Sequence, residues 1–254
     1  RLIQAEIVDL RVEDGTVRSV ITRLGAEWQV KAAVISTGTY LRGEVIIGEV
    51  QYPSGPDGML PSEGLEKALL REGITLQRFK TGTPPRVARD SIDLSRLEVQ
   101  EGDEYIVPFS SRSDEDELNR TDQLSCHIVY TNAQTHEIIR QNLDRSPIYS
   151  GRIHGTGPRY CPSIEDKVVR FADKPRHQLF IEPMGRDTEE MYIQGFSSSM
   201  PEEVQRQMLR SLPGFENAVT MRSAYAIQYD CIDPQQLKPT LEFRAISGLY
   251  GAGQ

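Results

Sequence analysis

The apolar residues of this chain fall in short runs that turn-forming residues keep interrupting, which confines it to short strands, short helices and tight connections. Residues 4–13 read as a strand with Ile7, Val8, Leu10 and Val12 apolar, and Asp14-Gly15 is a hairpin signal returning the chain through 17–23. Residues 27–36 read as a third strand whose apolar end, Ala32-Ala33-Val34-Ile35, runs into Thr37-Gly38-Thr39. A buried strand ending in a small-residue turn is how parallel nucleotide-binding sheets bring backbone close to a cofactor. Ser62 is placed to cap a helix over 63–72, with Leu65, Ala68 and Leu69 on one face and Gly73 as the stop.

Beyond that helix, 74–79 reads as a strand leading into Lys80-Thr81-Gly82-Thr83-Pro84-Pro85-Arg86, either a phosphate- or substrate-facing turn or a plain proline-rich loop. Residues 89–122 lack periodicity and read as loop with short strands, 110–116 being the most polar and mobile part. A strand is expected over 126–130. Asn132 or Thr131 then caps a helix over 133–143, with Ile138, Ile139 and Leu143 inward and His136 and Arg140 on another face. Strands follow at 178–182, 191–193 and 224–229. A helix over 201–212 buries Val204, Met208, Leu209 and Leu212, with Pro201 in its first turn. The pattern is that of an α/β protein whose sheet is interrupted by an insertion.

The stretch with the most chemistry is 155–171, GTGPRYCPSIEDKVVRF. Ser163 can cap a helix there and Asp166, three residues on, can return the bond; Val168, Val169 and Phe171 are its apolar anchors. Cys161 then lies at or just outside a helix start with Arg159 and Lys167 nearby in sequence, a setting that favours a thiolate or a bound anion. A buried, inert cysteine in a loop-to-helix turn is the other reading of the same residues.

Composition narrows the function classes. A chain of 254 residues has room for one large domain or two small ones. No apolar run reaches the ~18 residues of a membrane span, and no secretory leader is seen. Three widely spaced cysteines, Cys126, Cys161 and Cys231, fit a reducing compartment and argue against a disulfide framework or zinc site. The net charge of −8 speaks against a uniformly basic nucleic-acid binder, yet eight Lys/Arg stand against four acids between residues 140 and 176. Walker-type phosphate loops, HExxH and GxSxG are absent, and the glycines of GTGPRY fail the dinucleotide fingerprint because Tyr160 takes the third place.

GTGPRYCPSIEDKVVRFADKPRHQ, FKTGTPPR, NLDRSPIYSG and the closing LYGAGQ resemble, in order along the whole chain, the glucose-inhibited division protein A family, also called GidA or MnmG. The resemblance implies part of an FAD/NAD(P)-binding Rossmann-like domain with an inserted second α/β nucleotide-binding domain. It divides the chain into the rear of an FAD-binding domain (1–72), an inserted NAD-binding or substrate domain (73–238) and a return strand (239–254). It also implies the family's middle portion, with a GxGxxG segment expected before it and a helical domain after it.

By position, the family's flavin contacts fall on Ile7, Ser62 and Gln254, and Thr37-Gly38 resembles the turn near the adenine half of FAD. Its NAD segment falls on Gly157, Pro158, Arg159, Tyr160, Cys161, Pro162, Ser163, Ile164, Glu165, Asp166, Lys167, Val168, Val169, Arg170 and Phe171. Cys161 is the implied catalytic thiol, as uracil nucleophile or redox group, with Arg159 and Lys167 as charge partners; the alternative makes it a wall of a nicotinamide cradle. The implied reaction uses FAD, NADH and methylenetetrahydrofolate to modify carbon five of the wobble uridine of tRNA. The implied enzyme is a cytoplasmic homodimer with an MnmE-type GTPase partner and no membrane association. Taken alone, the chain also reads as a non-catalytic nucleotide- or tRNA-binding module using the basic span 140–176.

Overall fold

The computed structural model of the chain describes residues 1–157 and 162–253. The first strands are β1 (Ile7–Glu13), β2 (Thr16–Thr22), β3 (Glu27–Gln29), β4 (Ala33–Ile35), β5 (Glu44–Ile47) and β6 (Val50–Pro53). Helix α1 (Leu65–Arg71) precedes β7 (Leu76–Thr83), β8 (Arg86–Ala88) and β9 (Glu98–Gln100). Next come α2 (Glu115–Asn119), β10 (Cys126–Tyr130), α3 (Ala133–Gln141) and α4 (Ile164–Arg170). The chain continues through β11 (Gln178–Pro183), β12 (Glu190–Gln194), α5 (Glu202–Arg210), β13 (Thr220–Arg222), β14 (Tyr225–Ile232) and β15 (Leu249–Gly251). Among the described residues no helix is long and apolar enough to cross a membrane.

These elements form two compact units. The first takes residues 1–81, the stretch beginning at Gly151 and the chain from Ala226 on; the second takes 82–150 and 162–225. Compactness places the divisions inside β7 and β14. Those strands are neighbours in a sheet of the first unit, and their hydrogen bonds hold to that unit much of what boundaries at 72/73 and 238/239 assign to the middle segment.

In the first unit β1, β2 and β3 make an antiparallel sheet, with Leu10 opposite Val20 and the hairpin closing at Glu13–Thr16. Asp14 (φ 48°) and Gly15 (φ 67°) both take the left-handed backbone that a two-residue hairpin demands. The expected third strand is in fact two. β3 stays with β2, whereas β4 pairs in parallel with β15, so the chain changes sheets at the exposed Lys31. Only Ile35 of the apolar run is buried, and Val34 stays 62% exposed because β15 is the one strand beside β4 among the described residues.

Helix α1 starts later than Ser62 implies. Its cap is Gly64, at φ 103°, and the amide of Gly64 donates to Glu66 Oε2 at 2.7 Å. Ser62 is instead a backbone bridge, its N–H donating to Tyr40 O and its carbonyl accepting from Arg42. Gly73, at φ 79°, ends the helix as expected. Leu65, Ala68 and Leu69 meet Leu10, Ile74, Phe243 and Leu249 in the core of this unit.

A four-stranded sheet, β6-β5-β14-β7, completes the unit. Asp230 of β14 is only 3% exposed and lies between two guanidinium groups. Arg42 reaches it with Nε and Nη2, each at 2.9 Å, and Arg78 with Nη1 at 3.1 Å. Arg78 also donates to Glu44 Oε2 at 2.5 Å and to the carbonyl of Arg42 at 2.8 Å.

The second unit has a six-stranded sheet, β13-β8-β12-β11-β10-β9, in which every pairing is antiparallel. Leu179, Ile181, Met191 and Ile193 point to one face, where Ile139 of α3, Ile164 and Val168 of α4, and Val204 and Met208 of α5 complete the core. A nucleotide site in this unit therefore cannot be a parallel βαβ crevice. In the polar stretch before β10, Asp114 caps α2, and Asn119 bonds both backbone groups of Ile106.

His136 departs from expectation by being buried. Its Nε2 lies 2.8 Å from Thr131 Oγ1, the oxygen that also accepts the His177 amide, and the two imidazole rings stand 5.2 Å apart. Burial holds both imidazoles below the ordinary histidine range; His177 adds to the effect on His136, and Lys167 to that on His177. A depressed histidine leaves the folded state short of protons relative to the unfolded chain as pH falls below the unfolded value, so stability is lost on that side. Chemical unfolding of the protein should show stability declining from about pH 6.5 downward before carboxylates titrate near 4, and His136→Gln should flatten that decline. Asp230→Ala should cost about 1–3 kcal/mol in the same measurement, because it removes a shared counter-charge from Arg78, which keeps Glu44, and from the half-exposed Arg42.

Candidate functional site

Residues 154–157 add to the edge of β7 as a further extended segment in the first unit. The carbonyl of Arg78 accepts from the Thr156 amide and the Lys80 amide donates to Thr156 O, both at 3.0 Å. Gly155 makes this approach sterically feasible. A Cβ there would stand 2.8 Å from both C and O of Phe79. Gln228 of β14 fixes the segment from the other side, its Oε1 accepting from the amides of His154 at 3.1 Å and Gly155 at 2.9 Å. Gln228 escaped the sequence reading, although a polar residue inside the apolar run AYAIQY was a usable signal. Gly157, the first residue of the expected nicotinamide segment, is thus delivered beside the Lys80 carbonyl, 3.9 Å from the position of its own Cβ. Pro158, Arg159, Tyr160 and Cys161 lie outside the described residues.

The second unit takes up the stretch at Pro162. Ser163 caps α4 as expected: its Oγ accepts from Asp166 N at 3.2 Å, and Asp166 Oδ2 accepts from the Ser163 amide at 3.3 Å. The Ile164 amide donates to Ser197 O at 2.8 Å. With Glu165 and Asp166 in its first turn, this helix start keeps little positive potential for an external anion. Asp166 also faces Tyr149 Oη at 3.3 Å, which together with burial pushes the phenol up to about 12, desolvation being the larger cause.

Glu165 is fully buried, its Oε1 accepting from Ser198 Oγ and the Ser199 amide at 3.1 Å each. Lys167 sends its ammonium to the carbonyl of Gly195 at 3.0 Å. Ile164 and Val168 are core residues, whereas Val169 and Phe171, expected as anchors, are exposed, because a seven-residue helix turns only one stripe to the sheet. Arg170 is exposed and lies 3.7 Å from Asp166 Oδ1.

Ile7 and Ser62, far apart in sequence, line one cavity of the first unit, of about 420 Å³. Its walls include Val30, Ile35, Leu65 and Leu249, and its polar groups come from Glu6, Ser36, Thr37 and Ser62. A second cleft, shared by Thr37, Tyr40 and Ser62, opens beside it. Thr37 Oγ1 is buried without a hydrogen-bond partner among the described residues. An apolar-walled cavity of this size with a few polar groups has the character of a small-molecule site. Gln254 lies outside the described residues.

The other candidates are absorbed by the fold. Lys80 is buried in β7; Arg86 is buried in β8, donating to Thr83 Oγ1 and Pro84 O and stacking 4.6 Å from the Tyr192 ring centre. The segment between them is strand and strand end, not a free phosphate-facing turn. Burial raises the thiols of Cys126 and Cys231, so neither is a ready thiolate. The described residues hold no group of three metal-binding side chains.

Fold and cavity define a two-unit, mixed α/β protein with an apolar-walled cavity in its first unit. The chain belongs to the glucose inhibited division protein A family, whose model matches residues 1–254. It is 56% identical over 253 residues to the tRNA uridine 5-carboxymethylaminomethyl modification enzyme MnmG of Clostridium botulinum (strain Loch Maree / Type A3), covering 100% of this chain and 40% of the relative. The protein of the same name from Caldicellulosiruptor saccharolyticus is 58% identical over 251 residues, covering 99% of this chain and 40% of the relative. Aquifex aeolicus GidA in its form I crystal superposes with a TM-score of 0.91 at 49% identity, covering 98% of this chain and 42% of that one. The form II crystal gives 0.89 at 46%, covering 98% and 40%. The chain thus spans about 40% of the length of the curated relatives it matches.

Gly155→Ala should force the 154–157 segment off β7 and destabilise the first unit by about 1–3 kcal/mol, the usual cost of overpacking. Denaturant unfolding together with amide exchange at Thr156 and Lys80 measures both effects.

Proposed function

We propose that the protein carrying this chain is an FAD- and NADH-dependent enzyme that installs a carboxymethylaminomethyl or aminomethyl group at carbon five of the wobble uridine of tRNA. The observation that carries this reading is identity above 50% along essentially the whole chain to relatives named for that modification. The cavity that unites Ile7 and Ser62 supports a flavin role for the first unit. When bound, FAD and NADH supply redox equivalents, methylenetetrahydrofolate the carbon unit, and glycine or ammonia the nitrogen.

The residues of this chain take distinct parts. Ile7, Ser62 and Gln254 contact the flavin nucleotide, with Thr37 offering a hydroxyl nearby. Residues 157–171 form the nicotinamide segment, anchored at one end by Gly155 on β7 and at the other by the Ser163–Asp166 cap. Cys161 adds as thiolate to carbon six of the uracil, which makes carbon five nucleophilic, and leaves again when carbon five loses its proton. Arg159 favours the thiolate charge. Lys167 positions the segment through Gly195. The enzyme works in the cytoplasm as a homodimer with tRNA as substrate and an MnmE-type GTPase as partner.

The second reading, a binding module built on 140–176, is less well supported because that span is divided between the two units and many of its cations have internal partners. Arg145 is paired with Glu203, Arg152 donates to Glu49 O, and Arg176 covers the Tyr130 ring.

Mass analysis of the wobble nucleoside after reaction with full-length holoenzyme tests the proposal. Cys161→Ala should abolish the modification while NADH oxidation by bound flavin persists. Normal modification by that variant overturns the nucleophile assignment, and loss of NADH oxidation with the uracil chemistry intact assigns Cys161 to the nicotinamide cradle.

A further inference from the structure

A groove of about 410 Å³ lies wholly within the second unit, between the exposed side of α5 and residues 218–223. Arg206 and Arg210 stand one helical turn apart on α5 and line it. Residues so spaced hold their Cβ atoms about 5–6 Å apart on one helix face. Neither makes an ion pair or hydrogen bond to another described residue. Arg96, Arg145 and Arg222 of the same unit are paired, with Glu216, Glu203 and Glu190. The one acid in the lining, Glu202, already accepts from Ser223 Oγ at 2.6 Å. On a chain of net charge −8, the groove is therefore a local site with two arginines against one carboxylate. Beside the arginines, Val219 and Met221 expose about half their surface as an apolar ledge.

We propose that this groove binds the phosphate backbone of RNA, with Arg206 and Arg210 on neighbouring phosphates and Val219 and Met221 against the intervening ribose or base face. The proposal rests on the tRNA-modification reading and gives it a docking surface away from the reacting uridine. Guanidinium forks match phosphate oxygens in pairs, and a nucleic-acid strand carries about one charge per 3.4 Å of axis, close enough for two forks one turn apart to hold successive groups. An acidic peptide is the competing occupant, since β13 is an edge strand. That strand is only three residues long, and its register against β8 shifts between Thr220 and Arg222. Short, bulged edges resist strand addition, so the chemistry of the groove favours a phosphate strand over a peptide.

The test is fluorescence anisotropy of labelled tRNA against the full-length protein over a range of salt concentrations, with a single-stranded RNA oligonucleotide and poly-glutamate as further probes. Arg206→Ala/Arg210→Ala should weaken tRNA binding and reduce the slope of log affinity against log salt by about 0.7–0.9 per lost phosphate contact. Arg206→Lys/Arg210→Lys should keep most of that slope, which a purely structural role would not predict. Circular dichroism confirms folding, both side chains being exposed. If the double alanine variant binds tRNA with unchanged affinity and slope, the groove is not the phosphate site, while the tRNA reading stands. If the wild type binds the oligonucleotide through these arginines but not tRNA, the groove holds and the tRNA reading fails. Failure to bind either RNA overturns both, and displacement of RNA by poly-glutamate at equal charge concentration overturns the choice of RNA over peptide.

Discussion

A carboxylate buried inside a sheet has to be paired, and Asp230 organises the first unit through that requirement. Its two guanidinium partners come from the two strands that flank β14, Arg42 just ahead of β5 and Arg78 within β7, so one charge ties three of the four strands together. Two residues earlier on the same strand, Gln228 points to the same face and carries the second polar contact, holding the amides of His154 and Gly155. β14 thus carries the buried polar contacts that tie its neighbours together. The segment leading toward Cys161 is positioned by hydrogen bonds to that strand and by the missing side chain at Gly155.

Local signals were legible wherever structure is decided by neighbours in sequence. The Asp14-Gly15 turn, the Gly73 stop, the Asn132 cap of α3 and the Ser163–Asp166 capping box are all found where residue chemistry places them. The α5 stripe of Val204, Met208 and Leu209 faces inward as its spacing requires. What failed depended on distant partners. Ser62 looks like a cap until Tyr40 and Arg42 claim its backbone; 27–36 looks like one strand until β15, more than two hundred residues later, claims β4. His136 looks like a surface residue of an amphipathic helix until Thr131 and His177 close over it.

The candidate site was legible in part for the same reason. The resemblance located Ile7 and Ser62, and the fold brings them to one cavity, which no spacing argument could have done across fifty-five positions of chain. The α4 cap was read correctly as geometry but generously as electrostatics. Its amides are consumed by Ser163 and Ser197, and its first turn is acidic. Stabilisation of a thiolate near that helix has to come from side-chain cations rather than from the helix itself. Arg206 and Arg210 drew no notice in the sequence, because an exposed arginine pair on a helix becomes informative only once the opposite wall of the groove is known.

The division of the chain has a consequence for how the protein is made. The first unit is assembled from three separated pieces, and the second is threaded between them in two. Strand β7 leaves the ribosome long before β14, so the buried face that Asp230 and Gln228 will occupy has to wait for about 150 residues of synthesis before it can be closed. Until then Arg42 lacks its carboxylate partner, Arg78 has only Glu44, and the neighbouring β5 and β7 have no strand between them. The second unit, all of whose parts are synthesised by residue 225, is free to fold first and bring the two ends of its gap together. Neither unit is a cassette: cutting either at a single pair of boundaries would remove a strand or a clamp from the other.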